Sequence, residues 1–331
     1  MKNKLLLSTA IASLVTVGGI AHAETKVSGN LEQTYRAISE DASNSAASQR
    51  GLGAEYNIGL SSSKKLDNGL TAKYGFNIET GGTAVAAADV HFLTIGNDSV
   101  SVSIARDHGN NLSATGIPHV SDTASTVVGG GYHNLGAFGS DGHNDDHIRA
   151  DINGAGGTFT LRYVPADGAT TGGSSAIASD GNSAYDIIYR GSLGVKGLTV
   201  VAGQHQVEAT GTNQDATFRK YSVAYNFGKF AIGIERQDSE TEAAAGSQTE
   251  EESTAASITF AVNDKLSVGF ARYETDGNTG AAAFKEEVIN MISMGYSLGG
   301  IAFDVNYAQA ENVGFGNTDR DVLQIRTIQS F

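Results

Sequence analysis

Residues 70–79 read Leu-Thr-Ala-Lys-Tyr-Gly-Phe-Asn-Ile-Glu. Leu70, Ala72, Tyr74, Phe76 and Ile78 take alternate places, with Thr71, Lys73, Gly75, Asn77 and Glu79 between them. Successive side chains of a strand point to opposite faces, so this stretch predicts a strand with one apolar and one polar face. The split recurs along the chain. Val100, Val102 and Ile104 oppose Ser101 and Ser103; Phe159, Leu161 and Tyr163 oppose Thr160 and Arg162. Tyr221, Val223 and Tyr225 oppose Lys220, Ser222 and Ala224; Phe303, Val305 and Tyr307 oppose Asp304 and Asn306. The class is all-β. A soluble sandwich would alternate in the same way, so the surroundings must be read from elsewhere.

The connections supply that reading. Short ones fall at 66–69, 96–98, 154–157, 194–197, 228–229, 263–265 and 299–300, most with the Gly, Asn or Asp that tight hairpins require. Longer ones fall at 39–49, 81–88, 107–146, 166–182, 208–215, 239–252, 275–284 and 313–320. The two kinds take turns, and they imply about sixteen strands with short turns at one end and long loops at the other. Residues 183–191 and 198–207 alternate poorly, which leaves the count open by about two. This is the layout of a transmembrane antiparallel up-and-down β-barrel. In hydrocarbon every backbone N–H and C=O must be paired, and a closed barrel leaves no open edge. Arg106 and Arg272 fall on outward parity at the loop ends of their strands, unless a bulge turns each inward.

The N-terminus fits export. Lys2 and Lys4, the apolar run Leu5–Val17 and the small-x-small site Ala21-His22-Ala23 predict a cleaved signal peptide over residues 1–23, leaving 24–331 as the barrel. The net charge of −14 falls by two, to −16, when Lys2 and Lys4 are lost. So acidic a chain lacks the cationic surface that phosphate backbones require, which argues against nucleic acid as a partner. There is no Cys, so neither disulfides nor thiol chemistry is available. No cofactor motif is present: Gly129-Gly130-Gly131 lacks the Lys-Ser/Thr of a phosphate loop.

Residues 107–146 stand apart. They have little period, yet they carry Leu112, Ile117, Val127, Val128, Tyr132, Leu135 and Phe138, which favour burial, beside histidines and acids. A long irregular segment of this kind is usually functional. We expect it to fold into the lumen and narrow a pore, with Asp141, Asp145 and Asp146 on its acidic side. Strand parity places Arg36, Lys73, Arg149, Arg162, Lys220 and Arg326 on inward faces, as a basic wall. Opposed charges in a narrow, low-dielectric-walled channel select and orient permeants.

At this point the chain resembles a family. The signal peptide, the first strand beginning Lys26-Val27-Ser28-Gly29, the turn at 65–69 and the terminal Phe331 look like the general porins of Gram-negative outer membranes. The resemblance implies a bacterial outer-membrane location, a homotrimer, outer-membrane lipids as surroundings, and passive passage of small hydrophilic solutes and ions. It also implies that the third long loop, here 107–146, forms the constriction, and that Phe331 closes the barrel and marks it for assembly. Two departures are Gln329, where an apolar outward residue is usual, and the absence of a Pro-Glu-Phe-Gly-Gly-like stretch in the loop.

Other readings are weaker. His143 and His147 with Asp141, Asp145 and Asp146 carry metal-binding atoms, but the expectation is no metal, because solvated lumen residues explain them as well. His108, His119 and His133 could make a channel pH-sensitive. The glutamates of 239–252 read as a solvated loop. A substrate-specific channel would need an aromatic slide. A plugged structural or adhesin barrel would be silent in conductance. An enzyme would need a Ser-His-acid set, which parity does not bring together. The expectation is a diffusion porin with weak cation preference, and no enzyme.

Overall fold

Each strand pairs antiparallel with its neighbours in sequence, and the last returns to the first. A computed structural model describes residues 24–41, 49–81, 87–106, 116–121, 127–128, 146–165, 183–208, 215–242, 248–279 and 285–331. The expected signal segment lies outside them, as do Asp141 and Asp145. The strands are β1 (Glu24–Asp41), β2 (Gln49–Lys65), β3 (Thr71–Gly81), β4 (Ala87–Gly96), β5 (Val100–Arg106), β6 (Asp146–Gly154), β7 (Gly157–Val164) and β8 (Ser183–Gly191). Then follow β9 (Leu198–Glu208), β10 (Ala216–Phe227), β11 (Phe230–Glu242), β12 (Gln248–Ala261), β13 (Leu266–Thr279), β14 (Glu287–Leu298), β15 (Ile301–Glu311) and β16 (Asp319–Ser330). Together they form a closed, sixteen-stranded, up-and-down barrel.

The seam between β1 and β16 runs from Asn30 opposite Ser330 to Asp41 opposite Asp319. Phe331 extends it: its N–H donates to the Gly29 carbonyl at 3.0 Å, and the Gly29 N–H donates to the Phe331 carbonyl at 3.1 Å. The ring of Phe331 lies across Gly29, where a Cβ would stand 2.5 Å from its Cζ. At the short-turn end, Gly299 (φ 54°) and Gly300 (φ 99°) make a two-residue hairpin that needs positive φ at both places.

The distribution of polarity inverts that of a soluble protein. Tyr74, Phe76, Val102, Ile104, Leu161, Val223, Ile234, Ile292 and Ile325 are exposed, while Arg162, Asp186, Lys220, Glu235 and Asn306 are buried. So continuous an apolar exterior would aggregate in water; in hydrocarbon it is the solvated surface. Tyr225, Phe227, Phe230 and Phe260 form a row near the short turns, with successive ring centroids 6.2, 5.7 and 4.6 Å apart. Such rows belong at the membrane–water boundary.

Two expectations needed adjustment. Part of 239–252 is ladder, not loop: β11 continues to Glu242 and β12 starts at Gln248, with Glu240 opposite Glu250. Likewise β13 continues to Thr279, past the expected start of its loop. Polar composition suggested loops there, but backbone pairing carries the wall past the apolar belt. The weakly alternating 183–191 and 198–207 are true strands, β8 and β9. Their alternation is blurred because Ile188 and Val201, and Ala184 and Val207, are apolar on the inward face and pack together there. Arg106 and Arg272 keep outward parity with no bulge at either position: Arg106 pairs with His91 and Asp146, and Arg272 with Ala256 and Asn290.

Candidate functional site: the inner wall and the strap across it

The six basic residues picked by parity are all on inward positions, but they do not form one basic wall. Lys73 is exposed near the short turns, opposite Ser63. Arg149 Nη2 lies 2.8 Å from Asp151 Oδ1, two residues along the same face. Arg162 pairs with Asp186, its register partner on β8, and Asp186 also receives His205 Nδ1. Lys220 Nζ lies 3.4 Å from Glu235 Oε1. Arg326 Nη2 is 2.9 Å from Asp304, its register partner, and Nη1 is 3.6 Å from Glu32. Facing residues on neighbouring strands stand about 5 Å apart, so opposite charges on one face meet directly. Arg162 and Lys220 are buried by these contacts, 5% and 1% exposed, and do not border open water.

Parity applied to acids would have found the partners Asp151, Asp186, Glu235 and Asp304, together with Glu32, Glu40, Glu55 and Glu79. Sequence reading looked for acids in the loop instead. It also passed over Arg190 and Arg320, which face inward. Asp146, counted as a loop acid, is the first residue of β6, at the register position opposite Arg106. Of the two histidines weighed for metal, His143 is outside the described residues and His147 is buried on β6.

Besides Asp146, two parts of 107–146 are described, and both lie on the inner wall. Gly116–Ser121 crosses from β10 to β15. The Gly116 N–H donates to Glu235 Oε2, Ser257 Oγ to the Pro118 carbonyl at 2.7 Å, and Ser121 Oγ to Asn306 Oδ1. Val127 and Val128 are held by arginines: Arg36 donates to the Val127 carbonyl, and Arg320 Nη1 to the Val128 carbonyl at 2.9 Å. Arg320 is in turn paired with Glu40. Arg36, expected to line the pore, therefore holds the loop by its backbone.

Under these segments is an apolar shelf that the sequence reading missed. Ile117, Val127 and Val128 pack with Tyr273, Ile289, Met291, Ala308 and Val322, all on inward positions. A signal was present: Val288, Ile289, Met291 and Ile292 make β14 apolar on both faces, one toward the outside of the barrel and one toward the loop.

A model of the Gram-negative porin family matches residues 9–314. The chain belongs to the Gram-negative porin family. It is an outer-membrane channel protein of bacterial type. Solved structures agree on the fold. The anion-selective porin from Comamonas acidovorans superposes with a TM-score of 0.71 at 16% identity, over 94% of this chain and 100% of that one. OmpT, an outer membrane protein of Vibrio cholerae, superposes at 0.70 with 11% identity, over 95% and 100%. A mutant of the Rh. blastica porin superposes at 0.60 with 16% identity, over 92% and 100%. At such identities the likeness speaks for the barrel alone. No curated protein matches the sequence.

Proposed function

We propose that this porin is a diffusion channel for small hydrophilic solutes and ions, with residues 1–23 removed as a signal peptide and 107–146 acting as the constriction loop. One observation carries the reading: the described parts of the third long connection, 116–121 and 127–128, are pinned inside a barrel whose exterior is apolar and whose interior is polar. The family match favours a channel over an enzyme. A homotrimer embedded in outer-membrane lipid is part of the proposal, supported by a trimer form of OmpT from Vibrio cholerae with the same fold.

The proposed preference is for cations, and it is weak. Every Lys and Arg after residue 23 lies among the described residues, so the remaining loop segments add acids, including Asp107, Asp122, Asp141 and Asp145, and no cation. The inward cations Arg149, Arg162, Lys220, Arg320 and Arg326 are already matched by wall acids. Negative potential at the mouth raises cation concentration within a Debye length, ~10 Å at 0.1 M salt. The experiment is a planar-bilayer recording under a potassium chloride gradient. A small cation-selective reversal potential that shrinks as salt rises is expected; a closed barrel with no conductance would sink the channel reading.

A further inference from the structure

Resting on that pore reading, we propose that Glu235 is the positioning residue of the constriction loop, and that Gly233, Gly269 and Gly295 form the seat on which the strap Gly116–Ser121 lies. Glu235 is 3% exposed and uses both oxygens. Its Oε1 takes Lys220 and the Gln237 amide, and its Oε2 takes the Gly116 N–H. A hydrogen bond from a backbone N–H to a buried carboxylate is charge-assisted, stronger and shorter than a neutral one. Lys220 and Gln237 hold the carboxylate in place from the wall side, so the strap is fixed at its first described residue.

The seat explains the path that follows. All three glycines are on inward positions. A Cβ at Gly233 would stand 2.5 Å from Pro118 Cδ; at Gly269, 2.8 Å from Val120 Cγ2; at Gly295, 2.9 Å from Val120 Cγ1. Real Cβ atoms do not approach so closely. Glycine is disfavoured inside strands, and it persists where another backbone must come near. The track lets the strap lie flat against β11–β14, with Ser257 and Asn306 holding it further along. The strap thereby covers the inner face of β11–β15, while β2, β3 and β6, elsewhere in the ring of strands, present Glu55, Glu79 and Arg149.

The chain has no Cys, so engineered thiols report without background. In Ser121→Cys/Asn306→Cys, oxidation should crosslink the folded barrel and leave its conductance unchanged, because the strap is already there. A folded barrel that does not crosslink overturns the seat, whatever the channel does. If the crosslink forms in a barrel that never conducts, the strap stands and the pore reading falls. Glu235→Ala should lose the single open level and show several in its place. Glu235→Gln/Lys220→Met keeps an acceptor for Gly116 and removes both buried charges, and should restore the single level. One unchanged level in folded Glu235→Ala would overturn the positioning role. Should Glu235→Ala fail to fold, Gly269→Val serves: valine suits a strand but lifts Val120 from the wall, so conductance should fall, and an unaltered conductance would overturn the seat.

Discussion

At the scale of the residue, the interior of this porin is governed by pairs. Arg162 and Asp186 are 5% and 3% exposed and meet across adjacent strands. Deleting one member of a buried pair typically costs ~3–5 kcal/mol, because the other charge stays buried, whereas replacing both with apolar residues is often neutral. Asp186→Ala should therefore lower stability by about that amount, and Arg162→Met/Asp186→Leu/His205→Leu, which also removes the imidazole that Asp186 accepts from, should recover most of it, read from urea midpoints of the heat-modifiable band on gels. Phe331 poses a different problem. Its ring overlies Gly29, and its backbone completes the β1–β16 seam. Gly29→Val should displace the ring and reduce the yield of folded barrel, and deletion of Phe331 should reduce it further. Normal yield in the deletion would show that closure does not depend on the terminal residue.

At the scale of the element, turns and strand faces carry different constraints. The Gly299-Gly300 hairpin joins β14 and β15 with positive φ at both residues. L-residues resist that conformation by roughly 1–2 kcal/mol each. Gly299→Ala/Gly300→Ala should destabilise the barrel by about twice that without altering conductance, since the strap touches β14 at Gly295 and not at the turn itself. A changed conductance would mean that the hairpin communicates with the pore. The upper parts of β14–β16 carry apolar residues inward because they receive the loop. Val127 and Val128 are fully buried against Ile289, Met291 and Val322. Met291→Asn should loosen this contact and increase open-channel noise while the lipid-facing surface remains intact.

At the scale of the whole molecule, selectivity is a sum over the lumen rather than the property of one loop. Inward cations are largely matched by inward acids on the same or neighbouring strands, and the loop segments outside the described residues add only acids and histidines to the balance. Removing wall acid should then lower cation preference as surely as removing loop acid. Glu55→Gln/Glu79→Gln is expected to shift the reversal potential toward zero, and Asp141→Asn/Asp145→Asn to do the same. If only the loop pair moves it, the permeant path bypasses β2 and β3. Native mass measurement in detergent tests the trimer separately; a monomer alone would reject the assembly and leave the channel untouched.

What the sequence by itself determined was face and order. A period of two assigns each residue to lipid or lumen, and alternating connection lengths give strand number and polarity; neither depends on distant partners. That was enough for the closed barrel, the inward parity of Arg36, Lys73, Arg149, Arg162, Lys220 and Arg326, and the singling out of 107–146. Tertiary structure alone decided which charges meet and which way the loop runs. Gly116 reaches Glu235 across 119 residues of chain, and Arg36 reaches Val127 across 91. Parity names the side on which a residue stands but not its height, nor its neighbour across the ladder. Those follow from register and closure, which place Asp186 beside Arg162 and bring glycines on three strands beneath one strap.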